Sequence, residues 1–319
     1  MLALPTISAI ETARERVRDF AIRSPLVRFN TPGPECDIYL KLENMQPYGS
    51  FKIRAGANAL LSKDPAVLAR GIYTASAGNF GQGLAAAAAK LGQTITVYAP
   101  DTAAKKKLQA LEDMGAVIRL LAFEDWWRVM EHHGHPEDDG VFVHPVAETE
   151  VMAGNGTIGL EIMEELPDAD TILVPFGGGG LSTGIGVAAK HIRPDVRILG
   201  CETEAATPLA AAFDAGGPVR VPFDTGTFIN GIGSTSVLPE MWPLIRQVVD
   251  GAIAVSVAET AEAVRLLALM NAVIAEGAGA APVATALAGK AGGGKIVCVV
   301  SGGNIDPAVL AEILNPTSR

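Results

Sequence analysis

Lys52 lies in the run Gly49-Ser50-Phe51-Lys52-Ile53-Arg54, beside an aromatic ring and among small and apolar residues. An amine stripped of part of its water shell is harder to keep charged, so its pKa falls. A neutral amine can attack an aldehyde and form a Schiff base. Taken alone, such a lysine also describes the solvated face of an amphipathic helix. Three other segments bear on the choice. Gly177-Gly178-Gly179-Gly180, followed by Leu181, sits between an apolar run and a helical pattern. Glycines admit positive φ and close backbone approach, and a helix start behind them aims N–H groups at an anion. The expected occupant is a phosphate; a plain connector would carry more serine and charge. Ser76-Ala77-Gly78-Asn79 offers a hydroxyl, backbone N–H groups and an amide, suited to a small carboxylate or to helix capping. Ser301, in Ser301-Gly302-Gly303-Asn304, follows a strand and could face a ring nitrogen or be an ordinary turn serine.

A dinucleotide site is the rival reading of the glycine run. The spacing G-x-G-x-x-G fails from each of its glycines. The variant G-x-G-x-x-A occurs at Gly184, Gly186 and Ala189, but inside a predicted helix, while Glu202 ends the next strand where an acid could hold a ribose. A nucleotide-binding oxidoreductase is therefore kept as the alternative of another class.

The elements that must position these residues alternate in type. Strands are predicted at 38–42, 71–75, 94–99, 117–121, 141–143, 171–176, 197–201 and 295–300. Helices are predicted from Ser50 onward and over 81–91, 102–114 and 182–190. Near-continuous apolar strands alternating with helices argue for an α/β architecture with parallel sheets. Ligands of such sheets bind beyond the carboxyl ends of strands, and all the segments above fall at those ends.

Bulk properties narrow the function. With 319 residues the chain has room for about two domains. A net charge of −10 without a basic stripe argues against nucleic acid. Cys36, Cys201 and Cys298 are scattered and odd in number, giving neither a disulfide framework nor a metal knuckle, and they suit a reducing cytoplasm. No secretory signal is read at the N-terminus, and no apolar run reaches the roughly 18 residues of a membrane span. The polar stretch 131–140 is expected to be an exposed loop; its His132, His133 and His135 lack helical ligand spacing, so no metal is expected there.

Together these segments resemble the serine/threonine dehydratase and serine racemase family of pyridoxal-phosphate enzymes, which has the tryptophan synthase β-like fold (fold type II). The resemblance runs in order through most of the chain. Lys41-Leu42-Glu43-Asn44 with Gly49-Ser50-Phe51-Lys52 is similar to the Schiff-base lysine segment, and residues 74–83 to the asparagine loop. His144-Pro145 and Ala153-Gly154-Asn155-Gly156-Thr157 resemble a mid-chain signature, Gly177 to Leu181 the phosphate loop, and Ser301 to Asn304 the ring-nitrogen turn. The resemblance implies a cofactor, pyridoxal 5'-phosphate, held by Lys52 as a Schiff base, with Lys52 then the base at Cα. It implies Phe51, Asn79, Gly177, Gly178, Gly179, Gly180, Leu181 and Ser301 around the cofactor, with Asn79 on its phenolic oxygen. Ser76, Ala77, Gly78 and Asn79 would hold the substrate carboxylate. A serine at the pyridine nitrogen makes a weaker electron sink than an aspartate would, which favours β-elimination over transamination.

Departures sharpen the expectation. Racemases of the family carry a second serine where this chain has Ala77, and alanine cannot return a proton, so elimination is expected over racemisation. Phe80 stands where histidine is common. Glu202 resembles a cation-binding glutamate, but Pro208 occupies the aspartate position, so no metal is expected. The chain is expected to lack the regulatory domain of feedback-inhibited threonine dehydratases. The expectation is a dehydratase that converts serine, threonine or a related 3-hydroxy amino acid to a 2-oxo acid and ammonia. A large cofactor-binding domain is expected from 1–68 plus 150–319 and a small mobile domain from 69–149, in a homodimer with no membrane or nucleic-acid partner. Racemases and β-replacement enzymes of the same fold are the nearest rivals.

Overall fold

The buried apolar runs become parallel strands because helices cover the faces of the central ones, while the run Val117–Leu121 stays largely exposed. The computed structural model describes residues 2–30, 36–103 and 105–315, and its strands form two sheets. The strands are β1 (Leu26–Arg28), β2 (Cys36–Lys41), β3 (Ile72–Thr74), β4 (Ile95–Pro100), β5 (Val117–Leu121), β6 (Val141–Phe142), β7 (Thr171–Pro175), β8 (Arg197–Thr203), β9 (Gly251–Val255) and β10 (Gly294–Val299). The larger sheet has the order β1-β2-β10-β7-β8-β9, with only β1 antiparallel to its neighbour. The smaller sheet, β5-β4-β3-β6, is wholly parallel. The α/β class with parallel sheets flanked by helices is thus as expected. β1 and β9 were not predicted: β1 has three residues, and the small side chains of Gly-Ala-Ile-Ala-Val give β9 little periodicity.

The order of the larger sheet places β10, from the end of the chain, between β2 and β7. The turns after β7 and β10 therefore open on the same edge. The turn after β3 belongs to the smaller sheet and must be brought across. Close helix packing does this. A Cβ at Gly83, on the helix Asn79–Lys90, would stand 2.7 Å from the Lys52 carbonyl carbon. A Cβ at Gly154, on the helix Thr149–Glu165, would stand 2.6 Å from the Arg54 carbonyl oxygen. Only glycine lets these two helices pack directly on the backbone of the helix Lys52–Leu61. The apolar cluster joining Ile53, Ala57 and Leu60 to Leu84, Val97 and Leu111 continues that contact into the smaller sheet.

Beneath Lys52 lies a buried ion network. Arg54 Nε and Nη2 donate to Glu43 at 2.9 Å each, and Nη1 donates to Glu161 Oε1 at 2.6 Å. Lys41 Nζ reaches Glu161 Oε2 at 2.8 Å and donates to the Ser24 carbonyl at 2.6 Å. The facing carboxylates hold the Arg54 guanidinium charged, its pKa above the usual value despite burial. Arg54 is two residues from Lys52, so the network ties the start of that helix to the end of β2 and to the helix Thr149–Glu165. Among the described residues no helix is long and apolar enough to cross a membrane.

Candidate active site

A cavity of about 500 Å³ is lined by Phe51, Lys52, Ser76, Gly78, Asn79, Gly178, Gly179, Gly180, Leu181 and Ser301, among others. Four segments distant in sequence thus meet at one place. Ala77 and Gly177 sit beside it without lining it. The Ala77 side chain packs against the apolar cluster of the smaller sheet, and Gly177 faces the carbonyl of Gly231.

Lys52 opens its helix, and its Nζ lies 4.9 Å from the Phe51 ring centroid and 5.5 Å from that of Phe80. Burial lowers its pKa to about 8, while the Glu276 carboxylate pulls the other way. Its Nζ donates to the Pro145 carbonyl at 3.5 Å. Phe80 is buried, so the position where histidine is common in the family here walls the lysine with an apolar ring.

The glycine loop follows β7. Gly179 has φ +92° and caps the helix Gly180–Ile192, which starts two residues earlier than predicted. The first residues of that helix, Gly180 and Leu181, line the cavity, and the N–H groups of a first helical turn are free to meet an anion. A Cβ at Gly178 would lie 2.7 Å from both γ carbons of Val146, so the loop closes on the segment next to Pro145. On the far side, the turn after β10 is stitched to the lysine segment. Phe51 N donates to the Ser301 carbonyl at 3.1 Å, and Gly303 N to the Gly49 carbonyl at 2.9 Å. Ser301 is thereby buried beside Phe51.

Asn79 sits in the first turn of its helix, which begins two residues before the predicted Gly81. Its amide donates to Glu276 Oε1 at 2.8 Å, and its carbonyl accepts from Asn304 Nδ2 at 2.9 Å. Glu276 went unmarked in the sequence, although a lone carboxylate at the head of the apolar run Gly277-Ala278-Gly279-Ala280-Ala281 was a readable signal. Asn155 was quoted only as part of a signature; it lines the cavity, and among the described residues its buried Oδ1 has no hydrogen-bond partner. Val146 and Asn304 were likewise given no role of their own.

His144 orders the segment next to Lys52. Its Nδ1 accepts from the N–H groups of Val146 at 3.0 Å and Ala147 at 2.7 Å. Burial and the nearby Lys52 and His133 push its pKa down to about 3, so it is neutral. Glu202 accepts from the N–H groups of Leu209 and Ala210 at 2.7 and 3.0 Å. Pro208 starts that helix, and both oxygens of Glu202 are taken up by its first turn. Among the described residues no group of three or more His, Cys, Asp or Glu side chains is arranged to hold a metal. The 131–140 stretch is largely an exposed loop, as expected, and is held at His135. His135 stacks on Tyr98 at 4.8 Å, and its N–H donates to the Tyr73 hydroxyl at 3.1 Å.

A lysine of lowered pKa shares one cavity with a glycine loop at a helix start, which suits a phosphorylated aldehyde. The family model for pyridoxal-phosphate dependent enzymes matches residues 17–302. The chain belongs to that family. It is 39% identical over 311 residues to the L-threonine ammonia-lyase of Geobacter sulfurreducens, covering 96% of this chain and 77% of that one. It is 36% identical over 319 residues to the catabolic L-threonine dehydratase TdcB of Escherichia coli K12, covering 96% and 95%. The structure of maize serine racemase superposes with a TM-score of 0.88 at 28% identity, covering 98% of each chain. The protein is a pyridoxal-phosphate-dependent lyase of the serine/threonine dehydratase type, and its fold is that of the fold type II enzymes. The residues present suit a phosphorylated aldehyde: the Lys52 amine, the helix start behind the glycine loop and the buried Ser301 hydroxyl line one cavity.

Proposed function

We propose that this protein removes water from serine or threonine and releases the 2-oxo acid and ammonia. Per turnover the substrate loses the Cα proton and the Cβ hydroxyl as water. The resulting enamine becomes an imine, and one water then hydrolyses the C=N bond. The observation that carries the reading is Lys52: an amine with a pKa near 8, walled by Phe51 and Phe80, across one cavity from the glycine loop. Pyridoxal phosphate, when bound, supplies an electron sink conjugated to the substrate nitrogen. Gly178 to Leu181 would hold its phosphate, Asn79 its ring oxygen and Ser301 its ring nitrogen.

In this reading Lys52 accepts the Cα proton, and the Pro145 carbonyl orients the amine between transfers. Ser76 and the N–H groups at Gly78 and Asn79 bind the substrate carboxylate. Phe80 and Phe51 keep water from the amine. Position 77, where racemases of the family carry a serine, is an alanine packed beside the cavity, so it supplies no acid, which favours elimination over racemisation. The segment 69–149 would act as the mobile lobe. The Lys106–Asp306 ion pair, 3.6 Å across the cavity mouth, supports a closing contact there. A cytoplasmic homodimer is proposed as the working form. Met45, Tyr48, Met270 and Ile274 are exposed apolar side chains that could cover one another in such a dimer.

The test is a panel of 3-hydroxy amino acids assayed for 2-oxo acid and ammonia, with borohydride labelling of the lysine. Serine or threonine should turn over, the label should fall on Lys52, and Lys52→Ala should abolish both. Tight binding of a nicotinamide nucleotide with no label on Lys52 would overturn the reading.

A further inference from the structure

Glu276 is a carboxylate in a place that opposes charge. It is 7% exposed, stands at the head of the apolar helix Gly277–Leu287 and lines the cavity. Burial pushes its pKa up to about 7, against the Asn79 amide and the charges of Lys107 and Lys52. A buried acid without a hydrogen-bonded cation is costly. Its environment nevertheless makes room for it: a Cβ at Gly302 would collide with Oε1, and the Glu276 N–H is fixed to the Gly302 carbonyl at 3.0 Å.

Its side-chain partner is Asn79, whose two amide ends are each assigned. Nδ2 donates to Glu276 Oε1 at 2.8 Å, and Oδ1 accepts from Asn304 Nδ2 at 2.9 Å. Asn304 is itself anchored, since the same nitrogen donates to the Tyr48 carbonyl at 2.9 Å. An isolated asparagine amide has no strong preference between its two orientations. Here a flip would set carbonyl against carboxylate and amine against amine, so both neighbours oppose it. Nδ2 carries a second hydrogen, which has no protein partner among the described residues, and Asn79 lines the cavity.

We propose that Glu276 is a positioning residue that acts through Asn79: it turns the amide so that a hydrogen-bond donor, not the carbonyl, meets the oxygen substituent of the cofactor ring. The inference rests on the role given to Asn79 under the proposed function. Above about pH 7 the Glu276 carboxyl is ionised, and a charged acceptor strengthens the hydrogen bond that holds the amide. The ring oxygen bears negative charge and needs a donor. Asn79 alone could offer either end; with Glu276 and Asn304 it offers one.

The test is the affinity of the cofactor-free protein for pyridoxal phosphate, read by spectral titration, in a double-mutant cycle of Glu276→Leu and Asn79→Ala. Loss of a charge-assisted hydrogen bond predicts that Glu276→Leu binds about 10- to 100-fold more weakly. In the Asn79→Ala background the same change should cost under about twofold, because its effect is carried by the amide. Glu276→Gln, which keeps the shape and one acceptor, should lose less than Glu276→Leu, and it carries the same cycle if the leucine variant does not fold. Equal losses with and without Asn79, or no loss in either background, would overturn the inference. If the wild-type protein neither binds the cofactor nor labels at Lys52, the functional reading fails; wild-type binding with an unaffected Glu276→Leu removes Glu276 alone.

Discussion

The Lys52 amine of the cofactor-free protein should be partly neutral near physiological pH. Its pKa is lowered from 10.5 to about 8, chiefly by burial. At pH 7.5 an amine of pKa 8 is about one-quarter neutral, whereas one of pKa 10.5 is neutral about once in a thousand molecules. Lys52 should therefore react roughly 200-fold faster than a solvated lysine of equal intrinsic nucleophilicity. Trace acetylation with acetic anhydride between pH 6.5 and 10, quantified on the Lys52 peptide by mass spectrometry, reads this directly. The midpoint should fall near 8. Glu276→Leu should move it lower, because the carboxylate favours the ammonium. Phe80→Ser should move it higher by readmitting water. The folded protein gives up this proton more readily than the unfolded chain does. The lysine therefore opposes folding below about pH 8, and that cost is relieved as pH rises from about 8 to 10.5. A midpoint at or above 10 would refute the desolvation argument and the claim that Lys52 is prepared for an aldehyde.

Three further outcomes follow from the same geometry. Gly178→Ala should weaken cofactor binding by about tenfold or more, since its Cβ meets Val146 at 2.7 Å, and Val146→Ala should restore much of the loss in the double variant; unchanged affinity in spectral titration would remove the loop from the site. Arg54→Ala leaves Glu43 buried without its cation and should cost about 3–5 kcal/mol in urea unfolding; a loss under about 1 kcal/mol would show that the network is not needed. Racemisation of serine, followed by chiral chromatography, should run at least about 100-fold slower than elimination, because no acid stands at Ala77; comparable rates would refute that reasoning.

Much of this was readable along the chain because the signals were local. Glycines mark where a backbone must come close to a neighbour or to an anion. A lysine beside Phe51 suggests desolvation before any partner is known. Apolar runs of strand length, as at Thr171–Pro175, announce a buried parallel sheet. Glu276 was not read, because its meaning lies in Asn79, 197 residues away. The helix starts at Asn79 and Gly180 were each missed by two residues, since weak capping patterns do not set a boundary.

The sequence by itself determined the chemical inventory: an amine at a helix start, and a glycine loop, a hydroxyl turn and an asparagine that each follow a strand. Local backbone preference and residue type are enough for that. Only the tertiary structure decided their mutual geometry. The insertion of β10 between β2 and β7, and the close approach of Gly83 to the lysine helix, bring four distant segments to one cavity. The same packing surrounds Lys52 with Phe51, Phe80 and Glu276, and so sets its charge. Burial and long-range hydrogen bonds are properties of neighbours in space, and no spacing along the chain encodes them.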